Sequence, residues 1–179
     1  VPFHTFSNSV RACLPSMPWT ISDADRAARL DLRDRLIFSI DPPGCTDIDD
    51  ALHVRTLPNG RVEVGVHIAD VSHFVKEGTA IDKEAASRCT TVYLVNRRID
   101  MLPELLSGNL CSLMSNVERF AFSVLWEMDP ASAEVLDVSY HKSIIRSQHS
   151  FTYAEAQARK DDPARTPGTD PVADALRML

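Results

Sequence analysis

Four aspartates lie within one short segment of this chain, Asp41-Pro42-Pro43-Gly44-Cys45-Thr46-Asp47-Ile48-Asp49-Asp50, which we call the acidic loop (residues 41–50). Carboxylates held close together repel one another, so they are kept together mainly where a divalent cation or a transferred proton offsets their charge. Hard cations such as Mg²⁺ prefer oxygen ligands and retain waters that can attack a phosphorus atom. The acidic loop therefore points to metal-dependent phosphodiester chemistry.

The residues between the first and second aspartates predict how the four could meet. Pro42-Pro43-Gly44 prevents a strand from continuing and favours a tight turn, which would return Asp41 to the side of the later three. Two alternatives stay open on spacing alone. The aspartates could be solvated loop or helix-capping residues. An EF-hand is the other, but its loop needs Gly at the sixth position and Glu at the twelfth, and neither fits here.

Hydrophobic patterning predicts the elements that position the acidic loop. Residues 36–40 form an apolar strand that runs directly into Asp41. Residues 52–56 and 61–68 alternate, and Pro58-Asn59-Gly60 between them is typical of a β-hairpin turn. By the strand period of two, one face of the second strand is predicted to be the core side and the other to be polar. The predicted core side carries Val62, Val64, Val66 and Ile68, and the other face carries Glu63, Gly65 and His67.

The rest of the chain predicts an irregular mixture of helices and strands. We expect an α+β fold, with mixed β-strands surrounded by helices, and a lead-in segment over residues 1–35 before the main body over residues 36–179. A polar, proline-rich stretch at about 160–171 predicts a flexible loop. The remaining predicted elements are helices at 22–30, 79–88 and from the Thr152–Glu155 capping box, a helical turn over 103–107 closed by Gly108, a strand at 90–95, and a hairpin of 120–128 with 135–145.

Composition narrows the class of protein. The chain has 179 residues, 44% of them hydrophobic, and a net charge of −6, which suits a globular domain. It has no apolar run of membrane-spanning length, and the four cysteines are widely spaced, so a disulfide framework and a structural zinc site are both disfavoured. We expect an intracellular protein. The absence of an initial methionine and the helix-like ending at 175–179 predict a piece of a larger protein.

Several motifs, taken in order, resemble a known family. Residues 41–51, 64–74, 90–94, 101–107 and 109–113 are similar to the RNB catalytic domain of the RNase II and RNase R exoribonucleases, and the resemblance covers roughly residues 9 to 160. Within that family, the residues of these motifs are most similar to those of the members that act in the eukaryotic exosome. A long ordered series of motifs is far more specific than a single short pattern.

The resemblance implies a function for the acidic loop. It implies processive hydrolysis of single-stranded RNA from the 3′ end to nucleoside 5′-monophosphates, with Mg²⁺, or Mn²⁺, as the cofactor. Carried onto this sequence, it implies that Asp49 and Asp47 are catalytic and that Asp41, Asp47 and Asp50 bind the metal. Expected partners are single-stranded RNA and other exosome subunits, in the nucleus or the cytoplasm, with no DNA or membrane partner.

The same resemblance suggests RNA contacts. Tyr93 occupies a position where family members stack a tyrosine on a base, and Tyr153 is a second candidate; a half-buried strand tyrosine is the alternative reading of Tyr93. Arg97 and Arg98 are predicted to meet phosphates, although paired arginines on a loop are often only solvated. A zinc site at His67, Asp70 and His73 is disfavoured, because packing or hydrogen bonding is expected of both histidines.

The sequence also leaves a rival function open. The family's later arginine-bearing motif, which contacts the scissile phosphate, does not occur in these residues, so the isolated fragment is expected to be inactive or weakly active. The alternative to an exoribonuclease is a catalytically inactive RNA-binding or scaffolding module, and a third reading is a metal-binding interaction domain. Retention of all four aspartates favours the enzyme.

Overall fold

The computed structural model describes residues 4–162, 164 and 167–179, and it has the predicted α+β fold. A mixed sheet carries helices and long connections on both faces. The helices are α1 (Asn8–Arg11), α2 (Asp23–Ala28), α3 (Val71–Phe74), α4 (Ala80–Arg88), a π-helical turn (Leu106–Leu110), α5 (Tyr153–Asp161) and α6 (Pro171–Met178). The strands are β1 (Leu30–Asp31), β2 (Phe38–Asp41), β3 (Asp50–Thr56), β4 (Val62–Ala69), β5 (Val92–Leu94), β6 (Arg97–Ile99), β7 (Glu118–Met128), β8 (Val135–Arg146) and β9 (His149–Thr152).

In the described part of the chain, the strands form one seven-stranded sheet and one small hairpin. The sheet order is β1-β8-β7-β4-β3-β2-β9, and β5 pairs with β6 separately. Both predicted hairpins are confirmed, since β3 pairs antiparallel with β4, and β7 pairs antiparallel with β8. The two outer pairs, β1 with β8 and β2 with β9, are parallel. Strand β2, which leads into the acidic loop, therefore lies between β3 and β9.

The prediction for the core side of β4 is wrong in part. Gly65 and His67 lie on a buried face, whereas Ile68, predicted to be buried, is 45% exposed. The reason is that β4 is a central strand with material over both faces, so alternation cannot tell which face is the more buried. Val62 and Val64 do pack against an apolar cluster that includes residues of α6.

The absence of a side chain at Gly65 makes room for a histidine ring on the buried face of β4. A Cβ atom at this position would lie 2.2 Å from His53 Cε1 and 3.1 Å from Leu125 Cδ2. The missing side chain therefore provides the space in which the His53 ring packs. The ring stacks on His67, with 5.0 Å between the ring centroids.

The connections differ from the sequence-based expectation at two places. The predicted turn over 103–107 does not end at Gly108, because the chain continues through Gly108 as a π-helical turn to Leu110. The lead-in segment, in which no helix was predicted before residue 22, contains the short helix α1, whose N-cap Ser7 accepts a hydrogen bond from the backbone of Val10. The predicted loop at 160–171 lies partly outside the described residues, and its last residue begins α6.

The remaining helices form where they were predicted, except that the helix predicted over 22–30 ends at Ala28 and Leu30 begins β1. The capping box of α5 is complete, with Thr152 and Glu155 each accepting from the other's backbone N–H. Helix α4 follows Thr79 as expected. Among the residues that the structure describes, no helix is both long and apolar enough to cross a membrane.

Candidate active site in the acidic loop

The acidic loop connects β2 to β3 at one end of the sheet. Strand β2 pairs antiparallel with β3 at Phe38 and Leu52, and Asp41 lies close enough to Asp49 and Asp50 for its charge to act on both. Gly44 makes the turn that this requires, since its φ is +78° and the backbone N–H of Cys45 donates to the Pro42 carbonyl (3.2 Å). The predicted return of Asp41 to the other aspartates is confirmed.

A buried serine holds the middle of the loop in place. Ser112, which is fully buried, accepts a hydrogen bond from the Ile48 backbone N–H (3.1 Å) and donates one to the Thr46 carbonyl (2.9 Å). The Leu113 backbone N–H donates to the Ile48 carbonyl (2.8 Å), and the buried Arg119 donates to the carbonyl of Ser112 (3.0 Å). The loop is therefore fixed by a distant segment of the chain, which limits how far the four carboxylates can separate.

The aspartates repel one another in this arrangement. Desolvation, followed by the negative charges of Asp47, Asp50 and Asp41, raises the pKa of Asp49 above its ordinary value. Desolvation and the charge of Asp41 raise the pKa of Asp50 in the same direction. Both residues are exposed as whole residues, yet their carboxylates are crowded by protein and by one another. The site is short of positive charge.

The donor set suits a hard cation. Asp41 Oδ2 is buried and has no hydrogen-bond partner, which is costly for a carboxylate oxygen unless another group binds it. In the part of the chain that the structure describes, no three His, Cys, Asp or Glu side chains converge closely enough to hold an ion as they stand. The four aspartates nevertheless offer only oxygen ligands, as Mg²⁺ and Mn²⁺ prefer. The chemistry of the donor set therefore fits such an ion.

Asp47 differs from its neighbours because protein groups already bind it. The Tyr93 hydroxyl donates a short hydrogen bond to Asp47 Oδ2, and Arg98 Nη1 lies 2.7 Å from Asp47 Oδ1. The hydrogen bond to Asp47 is the main reason that the pKa of Tyr93 is raised to about 12. The tyrosine ring itself is 66% exposed, so the half-buried reading of this residue does not apply.

Two cavities meet at Asp47 and Tyr93. The larger, about 760 Å³, lies on the Pro42–Asp47 side of the loop and is also lined by Arg98, Asp100 and Glu104. The smaller, about 300 Å³, contains Asp49. Asp47 and Tyr93 line both cavities, so they stand at the boundary between an open pocket and the aspartates beyond it.

The other predicted RNA contacts lie at different distances from the aspartates. Tyr153 is 62% exposed and follows Thr152, the residue that pairs with Asp41 between β9 and β2. It therefore lies at the same end of the sheet as the acidic loop, although it lines neither of the two cavities. Arg97 is exposed beside Arg98 on β6 and also lines neither cavity.

The histidines act in packing and hydrogen bonding, as predicted. His67 is fully buried, with Nε2 2.8 Å from His53 Nδ1 and Nδ1 2.7 Å from Ser123 Oγ. His73 contacts Phe120, with 4.3 Å between the ring centroids. Asp70 is buried and pairs with Arg29 at 2.7 Å.

Sequence reasoning missed the residues that support the loop. Asp100 and Glu104 were given no role, although both bind Arg98. Ser112 and Arg119 were also missed. A signal existed for Ser112, which lies in the motif at 109–113, but a serine in an apolar motif does not reveal which distant backbone groups it binds.

The family model described as "RNB domain" matches residues 29–179. The chain is 60% identical over 179 residues to the exosome complex exonuclease RRP44 of Homo sapiens, and the match covers 100% of this chain and 18% of that protein. The chain thus spans about a fifth of the length of that curated relative.

Two solved structures share the fold. RNase R of Mycoplasma genitalium, in complex with ribose-methylated single-stranded RNA, superposes with a TM-score of 0.83 at 26% identity, over 99% of this chain and 27% of that chain. Yeast Ssd1, described as a pseudonuclease, superposes with a TM-score of 0.71 at 23% identity, over 87% of this chain and 19% of that chain. The likeness to Ssd1 is one of fold alone.

Proposed function

Because the chain belongs to the RNB domain family, we propose that it forms part of the catalytic domain of an exoribonuclease that degrades single-stranded RNA processively from the 3′ end, releasing nucleoside 5′-monophosphates. The names of the relatives support this proposal: one is an exosome complex exonuclease, and another is RNase R in complex with single-stranded RNA. We also propose that other exosome subunits are partners of the protein and that it acts inside the cell, in the nucleus or the cytoplasm. No DNA or membrane partner is proposed.

One observation carries the catalytic part of the proposal. The acidic loop gathers four carboxylates, desolvation and then mutual repulsion raise the pKa of Asp49 and Asp50, and Asp41 Oδ2 is buried without a partner. A fold that needed only stability would have no reason to keep this arrangement, because each feature costs free energy. Bound Mg²⁺ or Mn²⁺ would activate a water for attack on phosphorus and offset the charge that develops on the phosphate oxygens.

Each aspartate has a role in this proposal. Asp41, Asp47 and Asp50 hold the cation, and Asp49, at the centre of the repulsion, is essential to the chemical step together with Asp47. Tyr93 lies at the mouth of the open cavity, where its exposed ring can stack on a base without regard to sequence. Tyr153 and Arg97 are proposed as further RNA contacts at the same end of the molecule.

A second candidate function is an RNA-binding or scaffolding module without catalysis. The fold-level likeness to a protein described as a pseudonuclease is the observation that favours it. The four aspartates of the acidic loop favour the enzyme, because a binding module has no need of crowded, mutually repelling carboxylates.

The test uses the natural polypeptide that contains these 179 residues, with and without the substitution Asp49→Asn. With Mg²⁺, the unsubstituted protein should shorten a 5′-labelled single-stranded RNA from its 3′ end. Asp49→Asn should lower turnover by about 10²-fold or more, since it removes a group that acts in the transition state, while RNA affinity in a filter-binding assay stays within about twofold. Asp137→Asn, an exposed aspartate of β8, is the matched control.

The outcomes separate the candidates. RNA binding without any cation-dependent shortening by the unsubstituted protein would favour the non-catalytic module. Parallel loss of binding and shortening in Asp49→Asn would contradict the role given to Asp49. Failure of the unsubstituted protein to bind RNA would remove both candidates.

A further inference from the structure

Arg98 lies inside a cluster of acidic side chains. Its Nη1 is 2.7 Å from Asp47 Oδ1, its Nε is 2.5 Å from Asp100 Oδ1, and its Nη2 is 3.3 Å from Glu104 Oε2. Nη1 also donates to the Thr46 hydroxyl (3.0 Å). All three nitrogens of the guanidinium are therefore used within the protein, and the side chain is only 18% exposed.

These contacts leave Arg98 poorly suited to binding a phosphate. Three carboxylates surround one positive charge, so the neighbourhood remains negative even with the arginine in place. Desolvation by burial acts to lower the pKa of Arg98. The negative charges of Asp100, Asp47 and Glu104 outweigh this effect and raise the pKa above its ordinary value. An RNA phosphate would have to displace carboxylates that already hold the guanidinium in place, at a cost that an exposed arginine does not carry.

The small hairpin formed by β5 and β6 presents two groups to the same carboxylate. Tyr93 and Arg98 are direct cross-strand partners in this hairpin. The Tyr93 hydroxyl binds Asp47 Oδ2, and Arg98 binds Asp47 Oδ1. Both oxygens of Asp47 are thereby held from one side, which fixes the orientation of the carboxylate relative to Asp49 and Asp50.

We propose that Arg98 is a positioning residue that orients the Asp47 carboxylate and offsets its charge, and that it does not contact RNA. This replaces the phosphate contact expected from the sequence, and it rests on the proposed exoribonuclease function. The hairpin is then a clamp on one proposed metal ligand. Tyr93 and Arg98 act on Asp47 from facing positions on its two strands.

The first test separates a positioning role from a phosphate contact by salt dependence. RNA binding is measured with a chelator present, so that no RNA is degraded. Each phosphate neutralised on a single strand contributes about −0.7 to the slope of log K against log salt concentration. Arg98→Ala should leave both this slope and the RNA Kd, within about twofold, unchanged. A lower affinity with a slope shallower by about 0.7 would overturn the proposal.

The second test uses turnover with Mg²⁺ in the natural polypeptide that contains this chain. Arg98→Ala should lower kcat by about 10²-fold with KM unchanged, because a misplaced ligand affects the chemical step. Arg98→Lys should give an intermediate kcat, since one ammonium keeps the charge but cannot reach all three carboxylates. Arg61→Ala, at the exposed turn between β3 and β4, is the control, and its kcat should remain close to that of the unsubstituted protein. Unchanged kcat in Arg98→Ala would overturn the proposal.

A third variant covers the case in which Arg98→Ala does not fold. Tyr93→Phe keeps the ring that could stack on a base and removes only the hydroxyl that binds Asp47. It should lower kcat by about tenfold while leaving the RNA Kd unchanged. Unchanged kcat would contradict the clamp. RNA binding without hydrolysis by the unsubstituted protein would defeat the exoribonuclease function itself, whereas the phosphate-contact pattern for Arg98→Ala in an active protein defeats only this inference.

Discussion

At the scale of single residues, the acidic loop holds carboxylates close together although they repel one another. The pKa of Asp49 is raised in the folded protein, so its ionised form at neutral pH is less favourable there than in the unfolded chain. Burial of a lone polar atom in Asp41 adds to this cost. The loop therefore resembles other functional sites, at which stability is lower than the local sequence would permit.

Asp49→Asn should consequently stabilise the protein when no divalent cation is present. The substitution removes one of the mutually repelling charges, so the Tm in a chelator should rise, while Asp137→Asn should leave it nearly unchanged. Adding Mg²⁺ should then raise the Tm of the unsubstituted protein more than that of Asp49→Asn, because a cation that binds only the folded state stabilises it. A Tm of Asp49→Asn below that of the unsubstituted protein in the chelator would contradict this account.

The residues of the site could be predicted unevenly from the sequence. Asp41, Asp47, Asp49 and Asp50 were accessible because a local turn brings together residues that are close in the chain. The surroundings of Arg98 were not, since Asp47 is far from it in the chain and meets it only when the β5–β6 hairpin packs against the acidic loop. Sequence spacing reports a side chain's type and its nearest neighbours, but it does not report which charges it will meet.

At the scale of elements, strand β4 shows why periodicity alone can misplace a core. Its alternation was read correctly as a strand, and the pairing with β3 followed from the turn at Pro58-Asn59-Gly60. Which face is more buried depends on what later segments cover it, and β7 and α6 come from much further along the chain. Polar residues such as His67 are buried because other strands supply their hydrogen-bond partners.

Gly65→Ala should destabilise the sheet. Its Cβ would lie 2.2 Å from His53 Cε1 and 2.3 Å from His53 Nδ1, so the histidine ring would have to move in a packed interior. Overpacking of this kind costs about 1–3 kcal/mol, which urea denaturation would detect. If the clash with His53 is the cause, Gly65→Ala should cost less in a His53→Ala background. Equal costs in the two backgrounds would show that the cause lies elsewhere.

At the scale of the whole molecule, a buried hydrogen-bonded chain crosses the middle of the sheet. It runs from Glu63 on β4 to His53 on β3, back to His67 on β4 and on to Ser123 on β7, with successive distances of 3.1, 2.8 and 2.7 Å. Hydrogen bonds from Arg55 and His53 outweigh burial and lower the pKa of Glu63. Its carboxylate therefore accepts from His53, and each histidine can be neutral with one donor and one acceptor.

Stability should fall as the pH falls below about 6.5. Desolvation lowers the pKa of His53, and it lowers that of His67 to about 3 from an ordinary value of 6.5. Between those values the unfolded chain binds protons that the folded protein does not, so the free energy of unfolding decreases by about 1.4 kcal/mol per pH unit for His67. Above pH 6.5 the His67 ring is neutral in both the folded and the unfolded chain, so this residue no longer makes the free energy of unfolding depend on pH.

Urea denaturation at several pH values, together with an NMR titration of the His67 ring, checks this pH dependence. The free energy of unfolding should decrease steadily from pH 6.5 to pH 5, and the His67 ring should stay neutral over the same range. His67→Gln, which cannot titrate, should show a shallower dependence. A ring that titrates near pH 6.5 in the folded protein would contradict the assignment.

The position of β9 also affects when this sheet can form during synthesis. Strand β2, which ends at Asp41, takes its parallel partner from β9, and the paired Ser39 and Ser150 are 111 residues apart in the chain. Since a ribosome releases the polypeptide from its N-terminus, the edge of β2 remains open until nearly all of this sheet has emerged. A nascent chain would thus carry all four carboxylates before the strand that leads into them is fully paired, and we expect the acidic loop to reach its folded arrangement only once β9 has docked.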